Sequence, residues 1–238
     1  MRNRIMVLPN KKDYFVTHSF SGIAALFALS ASILVSSGST TNAETVAFGA
    51  GWKAVNFRSI PKTEYGFGGS TLSIKAAQSS SVIYTPVSQA ARDATKASWN
   101  WSVQTSVPPT DLARKGGDDR NIALYFVFTD EDTARRAGKK PNIKRLLTKR
   151  SSRMLIYVNG GQHGAGSFVP SPYFSGRGTT IVKRSSGTGS FSETVDLAAD
   201  YRRAFGSEPM VLVGLAVSSD SDDTGTVSQS SLSAIALN

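Results

Sequence analysis

The sequence predicts an all-β chain: an antiparallel β-sandwich or jelly roll with one short helix near 193–205. Three observations carry this. About nine short runs rich in Val, Ile, Thr, Tyr, Phe and Trp are separated by clusters of Gly, Ser, Pro and Asp. Two of those runs are apolar on both faces, as central strands of a sheet covered on both sides must be. Only one stretch combines helical spacing with both a start and a stop signal.

In chain order, the first element stands apart from the fold. Arg2, Arg4, Lys11 and Lys12 precede the apolar run GIAALFALSASILV (22–35) and a small polar segment ending in TTNA (40–43). A basic start, a short apolar core and a small-residue cleavage site make a secretory signal peptide over 1–43, with Thr41 and Ala43 as the small residues. The apolar run is shorter than the roughly 20 residues that span a bilayer, so no transmembrane span is expected after cleavage. The expected location is periplasmic or extracellular, with residues 44–238 forming one β-sandwich domain.

The strand candidates then follow: 51–57, 70–77, 81–87, 97–104, 122–128, 153–159, 179–185, 209–219 and 232–238. In 97–104, Ala97, Trp99, Trp101 and Val103 share one face and Ser98, Asn100, Ser102 and Gln104 the other, which reads as core against solvent. IALYFVF (122–128) and MVLVGLAV (210–217) are the two-sided apolar runs. The segment 131–150 is basic and broken by Gly138 and Pro141. It reads as a loop with short helical turns inserted between two strands. The helical stretch SETVDLAADYRRAFG (192–206) has Ser192 as the expected N-cap, Arg202 and Arg203 in its last turn and Gly206 as its stop. Leu197, Tyr201 and Phe205 recur at four-residue steps and form its buried stripe.

Composition narrows the chemistry. The 238 residues carry 27 Lys and Arg against 17 Asp and Glu, a formal charge of +10, and no cysteine. Four of the 27 and one of the 17 fall in residues 1–43, leaving 23 and 16, about +7. Without cysteine there is no disulfide and no thiol nucleophile, so an exported domain must be held by its core or by a metal. The basic balance suits an anionic envelope polymer, and export argues against a nucleic acid partner. One histidine outside the signal peptide, His163 in GGQHGAG (160–166), leaves no ordinary zinc set. There is no G-x-S-x-G elbow, no H-E-x-x-H and no phosphate loop.

Two acidic groups stand out against the basic background. Asp220, Asp222 and Asp223 follow one apolar run, and Asp118 and Asp119 precede another. Asp220, Asp222, Thr224 and Gly225 match positions 1, 3, 5 and 6 of an EF-hand loop, but position 12 is Ser231 and the flanks are strands, so an EF-hand is rejected. Three readings stay open for 220–223: a Ca²⁺ site on a sandwich loop, a polar ligand contact, or a turn whose positive φ is supplied by Gly225. Asp118 and Asp119 read either as an acid–base pair or as partners of Lys115 or Arg120. Tyr173, in the loop SPYFSGRG (171–178), is the aromatic best placed to meet a ligand.

Several stretches together resemble the uncharacterised bacterial family called domain of unknown function 3047. They are FRSIPKTEYGF (57–67), WNWSV (99–103), TDLARKGGDD (110–119), LIYVN (155–159), SPY (171–173), DLAADYRRAFG (196–206) and VGLAVSSDSDDTGT (213–226). The resemblance covers most of the chain after residue 43. It implies a secreted sandwich similar to carbohydrate-binding jelly rolls and no assigned activity. The family pattern has an Arg in the strand after the acidic pair and a Trp after the Tyr-Val. Leu124 stands near the first position here and Asn159 at the second.

The functional expectation is a non-catalytic domain that binds a glycan or envelope polymer. Asp118, Asp119, Asp220, Asp222 and Tyr173 are its candidate ligand residues, and Asp220, Asp222 and Asp223 the candidate Ca²⁺ ligands. A glycan-active hydrolase or lyase using the same carboxylates, and a structural envelope protein using its basic insertion 131–150, are the alternatives. If the two apolar runs are antiparallel neighbours, the start of one lies beside the end of the other, and all five carboxylates share one rim.

Overall fold

The computed structural model describes residues 43–238, so the signal peptide expected over 1–43 lies, except for Ala43, outside the described residues. The elements run β1 (Glu44–Thr45), β2 (Lys53–Asn56), β3 (Glu64–Phe67), β4 (Thr71–Ala77), β5 (Ser80–Pro86), β6 (Lys96–Thr105) and β7 (Arg120–Thr129). Next come α1 (Glu131–Ala137), α2 (Ile143–Thr148), β8 (Arg153–Asn159), β9 (Phe168–Pro170), β10 (Gly178–Arg184) and β11 (Gly189–Asp196). The chain closes with α3 (Leu197–Phe205), β12 (Val211–Asp220) and β13 (Val227–Leu237). None of the described helices is long and apolar enough to cross a membrane.

The strands form a β-sandwich of jelly-roll type. One sheet has the order β11-β6-β13-β4-β3 with β1 added on β13, and the other the order β2-β5-β12-β7-β8-β10-β9. Period-2 alternation builds the layer between them. Trp99 and Trp101 of β6 point inward and meet the second sheet, where the Trp99 ring centroid lies 5.3 Å from Tyr157 on β8 and 6.0 Å from Phe126 on β7. Both tryptophans are buried.

The two-sided apolar strands, β7 and β12, lie together in the middle of the seven-stranded sheet and pair antiparallel. Their inner residues Leu124, Phe126, Leu215 and Val217 join the inter-sheet core, while Tyr125, Val127 and Ala216 belong to a second core on the outer face. The basic insertion covers part of that outer face. It folds as α1 and α2, each capped at its start by a side chain, Asp130 accepting from Thr133 N and Asn142 from Arg145 N. Ile143 and Leu146 of α2 and Ala134 of α1 are buried against the sheet. Arg177 donates to the carbonyls of Leu147 and Lys149, satisfying groups that the end of α2 leaves open.

Two details refine the expected fold. The helix expected from Ser192 begins at Leu197, with Asp196 as N-cap accepting from Ala199 N at 2.8 Å. Residues 189–196 instead pair with β6 along its length, because Val195 and Glu193 bury at alternate positions there. The sandwich is also not wholly antiparallel, since β10 runs parallel to β8. The 160–177 crossover, which carries β9, is long enough to allow that. The short strands β1, β3 and β9, and the longer β11, lie outside the nine expected runs.

Candidate functional site

The helices leave the outer face of the seven-stranded sheet open over β2, β5 and the start of β7. There lies a cleft of about 560 Å³. Its floor is polar, with Ser80, Asp118, Arg120, Tyr125 and Asp220; its walls carry Val55, Phe57, Ile60, Leu147, Tyr173 and Phe174.

Strand register builds the floor. Asp220 at the end of β12 sits opposite Ser80 of β5 on one side and Arg120 of β7 on the other. Asp220 accepts from Ser80 Oγ at 2.6 Å and from Arg120 Nη2 at 2.6 Å. Between Ala123 and Arg120 the β7 strand carries one more residue than its partner, a β-bulge. In strict alternation Arg120 would share a face with the inward Ile122 and Leu124. The bulge turns it outward, where Tyr125 points, and Arg120 Nη2 donates to the Tyr125 hydroxyl at 2.9 Å.

Arg120 is the hub. Its Nη1 donates to Asp118 Oδ2 at 2.8 Å and to the Asp118 carbonyl at 3.0 Å, and Nη2 also reaches Ser218 Oγ at 3.2 Å. Its side chain is 12% exposed, so the pairs are largely desolvated. Burial alone works against the guanidinium charge, but Asp220, Tyr125 and Asp118 outweigh it and hold Arg120 charged. Burial pushes the Asp220 carboxyl up to about 6, with Arg120 and Ser80 pulling the other way. Tyr173 donates its hydroxyl to Asp118 Oδ1 at 2.8 Å while the residue stays 47% exposed. Burial and that bond to Asp118 both raise the Tyr173 phenol.

All five acidic residues line the cleft, as the antiparallel pairing of β7 and β12 requires, but they are not equivalent. Asp119 is turned to the 222–226 turn: its Oδ2 accepts from Thr224 N and Thr224 Oγ1, both at 2.7 Å. Gly225 supplies the positive φ of that turn, 64°. Asp222 and Asp223 lie at the rim, with carboxyls raised by partial burial and then by the neighbouring carboxylates. The expected Ca²⁺ ligands Asp220, Asp222 and Asp223 lie at different depths, the first buried, the second half-buried and the third exposed. Asp220 is taken up by Arg120 and Ser80, and no group of three or more His, Cys, Asp and Glu among the described residues is arranged to hold a metal ion.

His163 stands away from the cleft lining, its Nε2 3.4 Å from Asp111 Oδ1. Leu124 faces the inter-sheet core, and Asn159 is fully buried, accepting from Asn121 Nδ2 at 3.2 Å, so neither reaches the cleft. Reading the sequence missed Arg120 as the organiser, together with Ser80, Tyr125 and Phe57. The signal for Arg120 was its position beside the acidic pair, which names it as an ion partner without showing that it joins both acidic groups.

The family described as "Protein of unknown function (DUF3047)" matches residues 50–236. The chain belongs to this family. Every cleft residue falls within the DUF3047 match. No match is found among curated proteins. Among solved structures, this DUF3047 chain is similar to the xyloglucanase domain of a type three effector from Sinorhizobium fredii in complex with cellobiose. The two are 9% identical over 82% of this chain and 97% of that one, with a TM-score of 0.42. A thermo-stable cellulase derived from a Rhodothermus marinus cellulase is 15% identical over 82% and 99%, with a TM-score of 0.39.

Proposed function

We propose that the cleft binds a glycan without cleaving it, and that the protein works after export, in the periplasm or outside the cell. The observation that carries the binding reading is the pairing of the exposed Tyr173 and Phe57 rings with the Asp118–Arg120–Asp220 floor. A sugar ring offers an apolar face of C–H groups and an edge of hydroxyls. Aromatic walls suit the face, and carboxylates with free lone pairs, a guanidinium and Ser80 suit the edge. The N-terminal basic, apolar and small-residue pattern supports export.

Arg120 favours binding over hydrolysis. Glycoside cleavage by two carboxylates needs them to face the scissile bond from either side. Here one guanidinium bonds to both Asp118 and Asp220, which offsets one of their two charges and ties both carboxylates to the same side chain. The Asp220 carboxyl near 6 favours the opposite reading, because a general acid needs such a value.

Calorimetric titration with a panel of neutral oligosaccharides separates the two. Binding without release of reducing ends, weakened at least tenfold in Tyr173→Ala, is the expected result. Turnover that disappears in Asp220→Asn would establish the enzyme instead. If no oligosaccharide binds, or Tyr173→Ala and Phe57→Ala both keep full affinity, the cleft is not a glycan site.

A further inference from the structure

The basic insertion forms a second surface, which adjoins the cleft along α2, where Lys144 reaches the cleft lining. Residues 131–150 hold eight basic side chains against two acidic ones. The apolar residues of the two helices are used up: Ala134, Ile143 and Leu146 are buried on the sheet. That orientation leaves the basic face outward. Arg136, Lys139, Lys140, Lys144, Arg145 and Arg150 are all exposed. Arg135 is paired with Asp132, but none of these six has an ion-pair partner among the described residues. So many like charges on two short helices and the turns beside them repel one another, and a polyanion relieves that repulsion.

We propose that this ridge is a docking surface for an acidic polysaccharide, a polymer carrying a carboxylate on successive sugars. Two observations select this partner. Among the described residues, the large exposed hydrophobic side chains are Phe57, Phe67, Tyr173 and Val227, none of them on the ridge. A helix that settles on a membrane needs exposed apolar side chains beside its basic ones. The cleft beside the ridge carries five aspartates against Lys115, Arg120 and Lys144, so it repels the polyanion and leaves it on the ridge. Apart from Lys144, the ridge residues lie outside the cleft lining, so this surface stands whether or not the cleft takes a glycan.

The test compares polygalacturonate, neutral dextran, duplex DNA and vesicles containing anionic phospholipid, using residues 44–238. The comparison is made between the wild type, Lys139→Glu/Lys140→Glu/Arg145→Glu and Tyr173→Ala. The altered ridge residues lie outside the cleft lining and are exposed; circular dichroism checks the fold, and the matching Gln variant serves if the Glu variant unfolds. Polygalacturonate binding should weaken at least tenfold from 50 to 500 mM NaCl, because exposed charges are screened. It should weaken at least tenfold in the ridge variant and stay unchanged in Tyr173→Ala. Dextran should not bind to the ridge. Equal polygalacturonate affinity in wild type and ridge variant overturns the proposal. So does tighter binding to DNA or to anionic vesicles than to polygalacturonate, or binding to none of them.

Discussion

Asp220 shows how much one side chain draws from its two neighbouring strands. It meets a hydroxyl on β5 and a guanidinium on β7, yet burial still holds its carboxyl near 6 rather than 3.8. A carboxyl with a raised folded-state value binds its proton more tightly when folded. Its contribution to stability is therefore largest below about pH 4, is lost as pH rises towards 6, and is flat above that. Asp222 and Asp223 are raised as well and act in the same direction. Urea unfolding across pH 4–7 should show stability declining towards pH 6, with a shallower decline in Asp220→Asn. An identical slope in that variant would mean that Asp220 titrates normally.

At the scale of elements, the roof of the outer core rests on one missing side chain. Gly214 of β12 lies under Ile143 of α2. A Cβ there would press into the Ile143 side chain and come within 3.0 Å of the Thr85 carbonyl. Gly214→Ala should destabilise the fold by about 1–3 kcal/mol through overpacking. Faster amide exchange in 143–148 than in β12 would show that the helix yields first. Unchanged stability would mean that α2 sits loosely. The periodicity of 131–150 predicted short helical turns, because Gly138 and Pro141 break the run. The same residues said nothing of where those turns dock, since that depends on a glycine some seventy residues later. The helix near 193–205 illustrates the reverse. Its C-terminal half was legible from Leu197, Tyr201 and Phe205, but its start was not. Residues 192–196 are polar enough to begin a helix, and their pairing with β6 overrides that local preference.

For the whole molecule, the two sheets stand or fall together. Trp99 of one sheet packs on Phe126 and Tyr157 of the other, at the centre of the inter-sheet layer. Trp99→Ala should cost about 3–5 kcal/mol. Fluorescence and far-ultraviolet dichroism should still report one transition, because the inner faces of both sheets share one core, to which Trp99, Phe126 and Tyr157 all belong. Two separated transitions would show that the seven-stranded sheet, with its helical cover, folds alone.

What the sequence determined by itself is whatever depends on local pattern. Alternation in 97–104 places the tryptophans inside, two-sided apolarity puts β7 and β12 at a sheet's centre, and Gly225 allows a turn after Asp223. The family resemblance, too, was carried by residues that can be read in order along the chain. What only the tertiary structure decided is what depends on register between distant strands. A single extra residue in β7 reverses which face Arg120 occupies, because side chains alternate with a period of two. That reversal sets one guanidinium between Asp118 and Asp220, a hundred residues apart in the chain, and turns two acidic turns into the floor of one cleft.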